Sequence, residues 1–140
     1  MNLGTDYANL FKQAQQARIY AYCPYSKFAV GAALLCADGT VFTGCNIENA
    51  AYSPSNCAER TALFKAISEG KREFLAIAVA GGRLDGDANA PCWPCGVCRQ
   101  VLREFNNGGL VVVTGDGAGG LTTKSLGELL PENFSADDLR

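Results

Sequence analysis

From Phe74 to Ala80 every residue is apolar, an unbroken run of strand length. A strand with no polar side has none to turn toward water, so it belongs in the middle of a sheet covered on both faces. The rest of the chain supplies the cover. Tyr7, Leu10, Phe11, Ala14, Ala17 and Ala21 recur at helical spacing, with Thr5 or Asp6 available to cap the start. Residues 28–37 read as a buried strand, Asp38-Gly39 as a hairpin turn and residues 40–45 as the returning strand. A second helix is expected over 57–69, capped by Ser55 or Asn56, stopped by Gly70, with Leu63, Phe64 and Ile67 on its apolar face. Residues 81–90 read as a loop. A third helix is expected from Pro94 to about Phe105, since proline suits a first turn where its missing N–H is no loss. Strands at 110–114 and 121–124 follow, then a short helix at 125–130 closed by Pro131. Helices alternating with strands predict an α/β fold: a three-layer α/β/α sandwich on a five-stranded sheet, mixed because its first two strands form a hairpin.

Length and composition narrow the function. The 140 residues suit one domain and are too few for two ordinary ones, and no linker or repeat divides them. Twelve Lys+Arg against fourteen Asp+Glu, with no basic run, argue against gripping a nucleic-acid polymer, which takes clustered cations. No stretch approaches the roughly 20 apolar residues that cross a bilayer. The start of the chain lacks the pattern of a secretory leader, so a soluble cytoplasmic protein is expected.

There are seven cysteines and no histidine. An odd count without a leader speaks against a disulfide framework. The missing histidine excludes Ser-His-Asp and Cys-His catalysis and every zinc site built on imidazole. A metal must then be held by thiolates or carboxylates, and protons moved by Glu, Asp, Lys, Tyr or Cys.

Two clusters meet those conditions: Cys57-Ala58-Glu59 and Pro94-Cys95-Gly96-Val97-Cys98. Both fall at expected helix starts, where unpaired N–H groups and a partial positive charge favour thiolate. Cys95 and Cys98 share one face at i, i+3. With Cys57 they make three zinc ligands and leave the fourth position open to water, as in catalytic rather than structural sites. Zinc lowers the pKa of such a water, and Glu59 lies near enough to take its proton and pass it on. A guanidinium donating to the ligand sulfurs would disperse the negative charge of a three-thiolate site. A lone C-x-x-C is more often a redox pair or half of a structural zinc site. A structural four-Cys site would borrow from Cys23, Cys36, Cys45 or Cys92. Cys36 and Cys45 are expected in the core, which leaves Cys92 as the one placed to intrude.

These residues also carry a resemblance. The run Tyr22-Cys23-Pro24-Tyr25-Ser26-Lys27-Phe28-Ala29-Val30-Gly31-Ala32-Ala33-Leu34, then Gly44-Cys45-Asn46-Ile47-Glu48-Asn49-Ala50, Cys57-Ala58-Glu59-Arg60-Thr61-Ala62, Pro94-Cys95-Gly96-Val97-Cys98-Arg99-Gln100-Val101-Leu102 and Leu129-Leu130-Pro131-Glu132-Asn133-Phe134 resemble the small, zinc-dependent cytidine deaminases. The resemblance implies a cytidine deaminase-like fold and a homotetramer with sites shared between subunits. It implies one Zn²⁺ per subunit on Cys57, Cys95 and Cys98, Glu59 as the catalytic acid–base, and Arg60 as the guanidinium at the ligand sulfurs. It implies Asn46 and Glu48 on the ribose hydroxyls, Phe28 beside the pyrimidine, Ala58 at the substrate, and Tyr52 and Phe134 reaching a neighbouring subunit's site. The expected reaction is deamination of cytidine and deoxycytidine in pyrimidine salvage. A deaminase of blasticidin S or of an N4-substituted cytidine is the enzymatic alternative, and a redox or structural zinc module the non-enzymatic one. The family usually carries a small residue before the second Pro-Cys. Trp93 stands there in this chain and is expected either to reshape the pocket edge or to pack at a subunit contact.

Overall fold

The computed structural model describes residues 6–140; Thr5, one of the two cap candidates, lies outside the described residues. The apolar run becomes the middle of β3 (Phe74–Arg83), and residues 76–80 are fully buried. The other strands are β1 (Phe28–Cys36), β2 (Val41–Cys45), β4 (Val111–Gly115) and β5 (Leu121–Ser125), in the order β2-β1-β3-β4-β5. β1 pairs antiparallel with both β2 and β3, β3 runs parallel to β4, and β4 antiparallel to β5. The sheet is mixed and five-stranded, with helices on both faces, as expected.

Alternation along each strand sorts the two layers. Ala32, Leu34, Ile77, Val79 and Val112 face α2 (Ala58–Ser68), α3 (Gly96–Glu104) and α4 (Leu126–Leu129), which contribute Ala62, Leu63, Leu102 and Leu126. Ala33, Leu35, Ala76, Ala78, Ala80 and Val113 face α1 (Tyr7–Ala17) and its Leu10, Phe11 and Ala14. The α1 side of β3 is lined by alanine alone, which lets that helix lie close to the sheet. Gly31 shows how close: a Cβ there would run into the Ala14 carbonyl oxygen.

Several local expectations need correction. Asp6 caps α1, accepting from the Asn9 N–H at 3.3 Å. The helix gives way at Ala17 to a 3₁₀ turn, Arg18–Tyr20, not at Ala21. There the Arg18 guanidinium donates to the carbonyls of Ala29, Gly82 and Arg83, and Ile19 and Tyr20 point outward. Neither Ser55 nor Asn56 caps α2; the cap position is Cys57, while Asn56 pairs with Ile47 in a β-bridge. Phe64 is exposed, because the buried face of α2 is Ala58, Glu59, Ala62, Leu63 and Ala66. Only small residues fit where α2 crosses β2: a Cβ on Gly44 would lie 2.5 Å from the Ala62 nitrogen. Pro94 precedes α3, whose cap is Cys95. Gly81 and Gly82, read as loop, extend β3 and pair with Val30 and Ala29.

Candidate active site

α2 and α3 each begin at a cysteine, and neither cysteine uses its side chain to cap its helix. The sulfurs turn toward each other instead. Cys57 Sγ and Cys95 Sγ are 3.8 Å apart, and the sulfurs of Cys57, Cys95 and Cys98 all lie within 4.8 Å of one another. Two sulfurs each about 2.3 Å from one tetrahedral zinc would be about 3.8 Å apart, so the donor set fits that ion in kind and spacing. Cys92 stays outside this group, and among the described residues no fourth His, Cys, Asp or Glu joins it.

The charges point the same way. The Cys57 thiol is pulled down to about 5, chiefly by the hydrogen bond from Cys98, with Arg60 and Cys95 adding to it. Cys98 is pushed up by the same bond, its burial and nearby Glu59, so the pair holds one proton between them. Metal binding displaces such a proton. Arg60 Nη2 donates to Cys57 Sγ at 3.4 Å, and its Nε is buried with no hydrogen-bond partner. The Cys92 thiol is pushed up to about 11, by burial first and then by the charges of Glu59 and Cys57, so it stays protonated beside the cluster.

Glu59 lies in the first turn of α2, only 4% exposed. Burial, with Cys57 nearby, raises its carboxyl to about 7. A carboxyl balanced near neutrality both takes and gives a proton. Ala58, beside it, is fully buried.

The remaining predicted residues are more exposed, and the structure brings Glu48 and Tyr52 together in one cavity while Phe134 lies against Gln100 of α3. Asn46 Oδ1 accepts from the Val30 N–H at 2.9 Å, and its Nδ2 donates to the Phe28 carbonyl at 2.8 Å. Glu48 accepts from the N–H groups of Tyr25 and Ser26 at 3.0 and 3.1 Å and from the Ser26 hydroxyl, which holds its carboxyl below the usual range. A cavity of about 410 Å³ is lined by Tyr25, Ser26, Glu48, Tyr52 and Ser55. Tyr25 and Tyr52 meet edge to face with ring centres 6.0 Å apart. Phe28, Tyr52 and Phe134 are 39%, 72% and 59% exposed. Trp93 is half-buried and packs against the core under α2 and α3. Tyr25, Ser26 and Ser55 are not among the site residues expected from the sequence, where Ser55 is read only as a helix cap; Tyr25 and Ser26 lie within the Tyr22–Leu34 run, the available signal. Arg99, Gln100 and Arg103 were missed too. They tie α3 to the C-terminal segment through the Leu129 carbonyl at 2.7 Å, the Phe134 carbonyl at 2.8 Å and Asn133 Oδ1 at 2.8 Å.

The model of the cytidine and deoxycytidylate deaminase zinc-binding region matches residues 5–114. The chain belongs to this family. A cytidine deaminase of Sporosarcina psychrophila is 51% identical over 134 residues, spanning 96% of this chain and 95% of that protein. One of Halalkalibacterium halodurans is 52% identical over 130 residues, spanning 93% and 95%. The crystal structure of cytidine deaminase from Burkholderia pseudomallei superposes with a TM-score of 0.83 at 49% identity, covering 91% of this chain and 98% of that one. The family is a zinc-binding one, and the three-cysteine corner could hold such an ion in this member.

Proposed function

We propose that this chain converts cytidine and deoxycytidine, with water, to uridine and deoxyuridine and ammonia, using one zinc held by Cys57, Cys95 and Cys98. The observation that carries this reading is a buried carboxyl, Glu59, in the first turn of the helix that begins at one of three clustered sulfurs. When bound, zinc supplies the Lewis acidity that brings a water toward hydroxide near neutral pH. In zinc deaminases attack falls on C4 of cytosine, with a glutamate that is not a metal ligand moving the protons. Glu59 takes that part. It accepts a proton as the water adds, delivers it to the ring at N3, and passes the second to the amine that leaves as ammonia. Its burial keeps bulk water from supplying the proton instead. Arg60, at the Cys57 sulfur, offsets the surplus negative charge of three thiolates.

The sugar falls to Asn46 and Glu48. One Asn46 amide hydrogen and about one acceptor position on Glu48 are left over from their internal bonds, and these suit hydroxyl groups. Phe28 stands beside the base, with Ala58 behind it. Exposed Tyr52 and Phe134 fit a homotetramer in which each completes a neighbour's site, and cytoplasmic pyrimidine salvage is the setting proposed.

The test is loss of cytidine ultraviolet absorbance with wild type and Glu59→Gln. One zinc per chain is expected in both, with turnover lower by about 10²- to 10⁴-fold in the variant. A zinc-loaded wild type that releases no ammonia from cytidine, or a variant at full rate, overturns the proposal.

A further inference from the structure

β3 and β4 are paired through Ala76, Ile77 and Ala78 against Val111, Val112 and Val113, and there the ladder stops. The next rung would join Val79 to Thr114. In its place lies the Thr114 side chain, fully buried, its hydroxyl donating to the Val79 carbonyl at 2.8 Å and accepting from the Cys92 N–H at 2.9 Å. A hydroxyl has one hydrogen to give and lone pairs to receive, so a single group serves both backbone atoms. The strands part at the carboxyl ends of a parallel pair, where α/β sheets open their ligand crevices. Cys92 sits at that gap.

Cys92 has a second anchor. Its sulfur rests where a side chain on Gly81 would be; a Cβ there would strike Cys92 Sγ and come within 3.0 Å of the Phe28 ring. From Cys92 to Cys95 little can absorb a displacement. Pro91 before it and Pro94 within it have fixed φ angles, and the Pro94 carbonyl accepts from Arg99 Nε at 2.7 Å. The position of Cys92 is therefore passed on to Cys95, the cap of α3 and one of the three clustered sulfurs.

We propose that Thr114 is a positioning residue for the metal corner: its hydroxyl, standing in for the missing rung between β3 and β4, fixes Cys92 and through segment 92–95 the Cys95 sulfur. This rests on the reading that Cys57, Cys95 and Cys98 hold zinc. Thr114→Val keeps the shape and removes the hydroxyl, Thr114→Ser keeps the hydroxyl, and Val113→Ala weakens the same strand without touching Cys92.

Zinc-loaded proteins are mixed with a chromogenic chelator, and zinc release and melting temperature are recorded. Thr114→Val is expected to release zinc roughly tenfold faster. Thr114→Ser is expected to release it at the wild-type rate, and Val113→Ala to melt lower with release unchanged. Should Thr114→Val not accumulate as folded protein, Thr114→Ala carries the same comparison. Release from Thr114→Val at the wild-type rate, or equal acceleration by Val113→Ala, overturns the role of Thr114 alone. A wild type that holds no zinc overturns the proposed function and this role with it.

Discussion

The sulfur corner and the aromatic rim are built on opposite plans. In the corner, Cys98 and Ala58 are fully buried, Glu59 nearly so, and every group is held by α2 or α3 of the one chain. Along the rim, Phe28, Tyr52 and Phe134 stand well out of the protein. Positive φ at non-glycine residues occurs, among the described residues, at Lys27, Tyr52 and Glu132. Each is one of these aromatics or lies within two residues of one, at a backbone angle that costs of order 1 kcal/mol or more. Glu59 and Cys98 are thus shielded by a single chain, Cys57 is half-buried and Cys95 open to solvent, while the groups proposed to hold substrate are aimed outward under strain. Such residues are what the proposed homotetramer would cover.

The contrast can be broken from either side. The largest effect belongs to the corner: Cys98→Ala is expected to lose both bound zinc and measurable turnover, checked by metal content per chain and the cytidine assay. Full zinc content in that variant would mean the corner is not the metal site. On the rim, Phe134→Ala is expected to raise KM about tenfold while kcat and zinc content hold. A fall in kcat with KM constant would erase the distinction between the two regions.

Glu48 gives a smaller effect with a defined pH sense. The hydrogen bond from Ser26, first among its causes, holds its folded pKa below the ordinary value. Its clamp on the Tyr25-Ser26 turn is therefore present above about pH 4 and is lost as pH falls through the lower folded value. The melting-temperature gap between wild type and Glu48→Gln should be steady near neutrality and shrink on acidification. The smallest effect lies outside both regions. Lys71 and Asp38 form an exposed ion pair at 2.7 Å, and Lys71→Ala should leave melting temperature and activity within experimental scatter.

Much of this was legible in the residues. The run 74–80 has no polar face, which forced a covered central strand, and Asp38-Gly39 marked the hairpin. Three cysteines without a histidine left few ways to hold a metal, and the fold brings those sulfurs together. What escaped was set by close contacts between distant segments. The buried stripe of α2 is mostly alanine because Gly44 brings β2 against it, so weighting large apolar residues put Phe64 on the wrong face. The cap of α2 falls at Cys57 rather than Ser55 or Asn56, and α3 begins after Cys95 rather than at Pro94, because cap preferences assume a side chain that bonds the helix, whereas these sulfurs face each other. Gly81-Gly82 looked like a turn, yet its bareness makes room in β3 for Cys92 and Phe28.

The outer face of α3 grips the chain's last stretch through Arg99, Gln100 and Arg103. The same helix starts on a sulfur of the corner. If the proposed zinc sits on that start, filling or emptying the corner should be audible in residues 129–134, and a reporter fixed there would sense whether the rivet is in.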